Sequence, residues 1–140
     1  EPAEHSVRIV HRAWDLLLAC KFAFVDLPMP YRVYVIELNK KVFSENRKFR
    51  EANPQFNGVL QCLYVGMTSK TPKERFEQHK GIVLSKKGHD ISAAIVKKYG
   101  MYLRGSLFEH IDPMSKTEAL KAEKALTLEL RRSGYAVWSN

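Results

Sequence analysis

The sequence predicts an α/β protein of the α+β kind: a small three-stranded mixed sheet flanked by helices and preceded by an N-terminal helical extension. Three observations predict it. Residues 31–38 and 62–65 are compact runs of β-branched, aromatic and aliphatic side chains, a composition that suits buried pleated strands. Thr71-Pro72-Lys73-Glu74 and Ser115-Lys116-Thr117-Glu118 both have the form of a capping box, which marks the start of a helix. A hydrophobic content of 45% over 140 residues suits one domain with one core rather than a disordered chain.

Each element follows from local pattern. Over residues 6–24, Val7, Ile9, Val10, Ala13, Trp14, Leu17 and Leu18 recur at helical spacing, with Arg8, His11, Arg12 and Asp15 largely on another face. The polar face is short and mixed in charge, which favours packing on the domain over lying on a membrane. Pro28 and Pro30 then stop regular structure. The chain therefore divides into an extension and linker over residues 1–30 and a domain over 31–140. In the strand over 31–38, alternation sets Arg32, Tyr34, Ile36 and Leu38 on one face. A basic insert follows over 39–61, with a short helix over 43–50 ended by Asn53-Pro54 and a turn at Asn57-Gly58.

Cys62-Leu63-Tyr64-Val65 is expected as the second strand, with Gly66 as a tight turn or a point of close backbone approach. Thr71 then caps a helix on which Arg75 and His79, one turn apart, share a face. Tyr64, Arg75 and His79 thus gather near one end of the unit and suit the holding of a phosphate. A basic loop over 80–90 leads to a helix over 91–99 with Gly100 as its C-cap. The third strand is placed at 106–111, and the last helix runs over 115–133 to Gly134. Residues 135–138 read as an extended tail.

The net charge of +8 points to polyanionic partners, nucleic acid first and anionic membrane second. No run reaches the roughly 18 apolar residues needed to span a bilayer. Cys20 and Cys62 lie in apolar surroundings and read as reduced, buried thiols ahead of a disulfide, which suits a cytoplasmic chain. No zinc-finger spacing is present. Trp14 and Trp138 read as core residues.

One carboxylate stands out. At 100° per residue Ala119, Ala122, Leu126 and Leu130 form an apolar stripe, Glu123 falls inside it, and Glu118 and Glu129 lie at its edge. A carboxylate turned toward a core is costly unless a cation or hydrogen bonds satisfy it. Two readings stand: a glutamate at the rim paired with an Arg or Lys, or an oxygen ligand for Mg²⁺, which needs few protein carboxylates.

The ordered set Tyr34, Tyr64-Val65-Gly66, Arg75 and Glu123 resembles the GIY-YIG nuclease family. Val33-Tyr34-Val35 stands at the first motif without its glycine, and the insert over 39–61 separates the two motifs. A hairpin with a decorated loop would keep their pairing. The resemblance covers residues 31–140 and implies a metal-dependent endonuclease hydrolysing phosphodiester bonds in nucleic acid, DNA ahead of RNA. It implies catalytic roles for Tyr34, Tyr64, Arg75 and His79, and it implies Glu123 as ligand of one Mg²⁺ (or Mn²⁺). Asn140 stands where some members place an asparagine. Lys70, Lys73, Lys80, Lys86, Lys87, Lys97 and Lys98 are the expected contacts to the nucleic-acid backbone. The missing glycine and the insert suit a second reading, a non-catalytic nucleic-acid-binding module on the same scaffold. A third is a protein-interaction domain docking through its N-terminal helix.

Overall fold

The computed structural model describes residues 30–81 and 91–139. The expected helix over 6–24, the proline linker before Pro30, and most of the basic loop over 80–90 lie outside the described residues.

The first strand, β1 (Arg32–Leu38), has antiparallel neighbours on both sides. Beside it runs β2 (Cys62–Thr68), in unbroken register from Arg32↔Thr68 to Leu38↔Cys62. The insert therefore decorates a hairpin without shifting it. Two short helices, α1 (Lys41–Glu45) and α2 (Arg47–Ala52), replace the single helix expected over 43–50. Asn46 separates them: its backbone is extended and its side chain accepts the Phe49 N–H at 3.0 Å, so it caps a new helix instead of continuing the old one. The next helices are α3 (Pro72–His79) and α4 (Ile91–Tyr99), and Thr71 Oγ1 accepts the Glu74 N–H at 3.2 Å as its pattern predicts.

The third strand is β3 (Gly100–Leu103), not residues 106–111, where a 3₁₀ turn (Gly105–Leu107) stands instead. The chain enters β3 directly from α4. Gly100 is not a left-handed cap, since positive φ among the described residues is confined to Gly58, Gly81 and Gly134. The α4 terminus is closed by the Lys80 ammonium, which donates to the carbonyls of Lys97 (3.1 Å) and Gly100 (2.9 Å). Strand pairing with β1 continues to the Arg104 N–H, which donates to the Val35 carbonyl at 2.9 Å, and then the chain turns away.

The last helix, α5 (Lys116–Arg132), is capped by Ser115 and leaves through Gly134 at φ 108°. Beyond Gly134 the chain forms a fourth strand, β4 (Ala136–Ser139), not a loose tail. It pairs parallel to β2, so the sheet order is β3-β1-β2-β4 and the sheet is mixed, with four strands instead of three. A parallel neighbour requires a crossover, and α5 supplies it by packing on β4, β2 and β1. Asn53 fastens β4 to the insert: its Oδ1 accepts the Val137 N–H at 2.7 Å and the Arg131 Nε–H at 3.2 Å, while its Nδ2 donates to the Phe49 carbonyl at 2.8 Å.

β1 and β2 are buried along nearly their whole length and form the centre of the core. Glu37, the one carboxylate on β1, is satisfied by the Arg104 guanidinium at 2.7 Å and the Tyr102 hydroxyl at 2.5 Å. No helix among the described residues is long and apolar enough to cross a membrane.

Candidate functional site

Directly opposed residues of an antiparallel pair point to the same face, and so do residues two apart along one strand. Tyr34 lies opposite Gly66 and Tyr64 opposite Ile36, so register places both tyrosines on one face of the sheet. Their ring centroids are 6.1 Å apart. Both are fully buried, at 1% and 0% exposure.

Gly66 lies inside β2, so the turn expected there is not present. The reason for a glycine is steric. A Cβ at Gly66 would stand 2.5 Å from Tyr34 Oη and 2.6 Å from its Cζ, so only a bare backbone leaves room for the phenol across the strand pair.

Helix α3 completes the cluster. Its cap and Pro72 fix where the helix starts, and the helical turn then brings Arg75 and His79 to the tyrosines. His79, buried at 5% exposure, places Nε2 3.0 Å from Tyr34 Oη. Its ring also stands edge-on to Tyr64, with centroids 5.7 Å apart. Arg75 is half-buried, and its Nη1 donates to Gln78 Oε1 at 3.2 Å. Burial holds the Tyr34 phenol well above the ordinary value of 10.0, and nearby Tyr64 adds to the rise. The Arg75 guanidinium opposes it through its charge and a hydrogen bond to the phenol, without overcoming it. Tyr34 is therefore a neutral hydroxyl at pH 7. It can donate or relay a proton but does not stand ready as a phenolate.

Glu123 lies on the buried stripe of α5 at 3% exposure, whereas Glu118 and Glu129 are exposed. The rim position is therefore ruled out for Glu123: its helix turns it into the core. The Thr127 hydroxyl donates to the Glu123 carbonyl at 2.7 Å, which gives that buried hydroxyl a partner one turn back along the helix. Among the described residues no three His, Cys, Asp or Glu side chains gather as a metal cluster. The donor that Glu123 offers is a carboxylate oxygen, the ligand type that a hard cation such as Mg²⁺ takes.

Lys70 and Lys73 are exposed at and just before the start of α3, and Lys97 and Lys98 are exposed on α4. Lys98 sets its ammonium 5.2 Å from the Tyr99 ring centroid. Lys80 spends two N–H groups on the α4 terminus and so has a structural task. Lys86, Lys87 and Asn140 lie outside the described residues. Sequence reasoning missed Gln78 as the partner of Arg75, although its spacing three residues on was the available signal.

Comparison with family models, with curated proteins and with solved structures returned no match.

Proposed function

We propose that this chain is a metal-dependent endonuclease that hydrolyses phosphodiester bonds in nucleic acid, DNA ahead of RNA. The observation that supports the reading is the convergence of Tyr34, Tyr64 and His79, with Arg75 acting on the same phenol. Hydrolysis of a phosphodiester needs a water to be oriented and deprotonated, and it needs charge neutralised on the phosphoryl oxygens. Arg75 supplies a guanidinium whose planar fork matches those oxygens. Tyr34 orients the water. In the His79 tautomer with Nε2 bare, the phenol passes its own proton to Nε2 as it takes one from the water, so no free phenolate is required. Tyr64 packs against both partners and limits their motion. Glu123 is the residue that would hold Mg²⁺ or Mn²⁺, and the ion, when bound, supplies charge neutralisation at the phosphate and the leaving oxygen.

Cleavage of plasmid and oligonucleotide DNA with Mg²⁺ or Mn²⁺, wild type beside Arg75→Ala, His79→Ala and Glu123→Gln, tests the reading. Losses of about 10²–10³ in rate are expected for each variant, the scale of removing one transition-state contact. Since Tyr34 stays protonated, the wild-type rate should show no rise attributable to phenol ionisation as pH approaches 10. Equal rates in all four proteins would end the assignment. A second reading, a nucleic-acid-binding module without catalysis, is favoured by one observation: both phenols are shut from solvent. Retained DNA binding by a wild-type protein that cleaves nothing would select it.

A further inference from the structure

A cleft of about 320 Å³ opens where β1, the first turn of α3 and the residues after β3 meet. Leu103, Phe108 and Ile111 give it an apolar lining, and its charged groups are Arg32, Lys73 and Glu109. All three charged residues are exposed, and none forms an ion pair among the described residues. The cleft shares β1 and α3 with the tyrosine cluster. Arg32 precedes Tyr34 by two positions on the same face of β1, about 7 Å along a strand. Lys73 lies in the first turn of α3, the helix that carries Arg75 and His79.

The space lies at the small end of ligand pockets, suited to one nucleotide and not to a stacked duplex. Two cations suit a phosphate, and the apolar lining suits the face of a base. The carboxylate at Glu109 accepts hydrogen bonds, so it favours bases that offer an exocyclic amino donor (adenine, cytosine or guanine) over thymine, whose N3–H is flanked by two carbonyl oxygens that repel a carboxylate. It also repels phosphate, which fixes the orientation: phosphate toward Arg32 and Lys73, base edge toward Glu109. A paired base is held inside the duplex, and a cleft of this size admits only a base displaced from it.

We infer that this cleft receives one unpaired, amino-bearing nucleotide next to the scissile phosphate, so that the substrate is nucleic acid with an extrahelical or single-stranded position. The location of the scissile phosphate rests on the phosphodiesterase reading; the binding preference does not.

The test is fluorescence anisotropy of the full chain in metal-free buffer. The probes are a labelled DNA duplex that is fully paired and the same duplex carrying one bulged cytosine or one bulged thymine. The bulged-cytosine duplex is expected to bind about tenfold more tightly than the paired one, the scale of docking one base. It should also bind about fivefold more tightly than the bulged-thymine duplex, the scale of one base-edge contact. Glu109→Ala should abolish the cytosine-over-thymine preference while leaving the salt dependence intact. Lys73→Ala should weaken all three probes and lower the slope of log affinity against log salt by about 1. Both substituted residues are exposed, so loss of fold does not confuse the result. Equal affinity for paired and bulged duplexes, or a cytosine preference that survives Glu109→Ala, overturns the inference. Cleavage with Mg²⁺ but no bulge preference would sink this inference alone. A bulge preference without cleavage would sink the catalytic reading and leave this one standing.

Discussion

Gly66→Ala puts one methyl group into the contact on which the tyrosine cluster depends. The backbone at Gly66 is not left-handed, so the change adds no φ strain and its effect is contact alone. The new Cβ would stand 2.5 Å from Tyr34 Oη where ordinary contact begins at 3.4 Å, so the phenol must retreat by roughly 0.9 Å. The ring is completely buried and has Tyr64 and His79 beside it, so retreat breaks the 3.0 Å bond to His79 Nε2. Overpacking costs about 1–3 kcal/mol. Separating two buried polar partners adds about 1–3 kcal/mol, and the lower entropy of the unfolded alanine chain returns about 0.4–1 kcal/mol. A net destabilisation of about 3 kcal/mol is expected from those magnitudes, read by urea unfolding. A misplacement near 1 Å should also lower any cleavage rate about 100-fold. The control is the same change in a Tyr34→Leu background, where the Oη and Cζ contacts are gone, only the 2.9 Å approach of Tyr64 Cε1 remains, and the two substitutions should couple by about 1.5 kcal/mol or more. Equal costs in the two backgrounds would refute the claim that Gly66 exists to admit the Tyr34 ring.

Two further predictions concern the frame that holds the cluster. Asn53→Ala removes three hydrogen bonds and leaves the Val137 N–H buried without its acceptor, so unfolding free energy should fall by about 2–4 kcal/mol; Asn53→Asp, which keeps both acceptor bonds, should lose less, and a loss below about 1 kcal/mol for the alanine variant would refute the clamp. Burial pushes the Cys62 thiol from 9.0 up to about 11, with Glu37 adding to the rise and Lys40 opposing it. Between those two values the unfolded thiol ionises while the folded one keeps its proton, so stability falls as pH rises through that window and is unaffected below it. Urea midpoints for wild type and Cys62→Ala should therefore run parallel below pH 9 and converge or cross above it; parallel curves throughout would count against a buried neutral thiol.

The sequence by itself determined the elements whose signals are local. The strand over 31–38, the helix starts at Thr71 and Ser115, the helix stop at Gly134 and the place of Glu123 within the apolar stripe of its helix all follow from side-chain period or from a cap and its own backbone, and each is present. Tertiary structure decided everything that depends on a partner distant in the chain. Residues 135–138 carry no mark distinguishing a tail from a strand, because the pairing that makes β4 lies on Cys62 to Val65 and on Asn53. The third strand moved to Gly100–Leu103 because β1 offered its hydrogen-bonding edge there, while Phe108 is buried just beyond the turn at Gly105–Leu107. Gly66 reads locally as a turn and acts as a gap for Tyr34, a relation created only by the β1–β2 register. The protonation of Tyr34 is of the same kind: a nearby arginine argues for a phenolate, and only the degree of burial, a property of the whole packed core, reverses that balance.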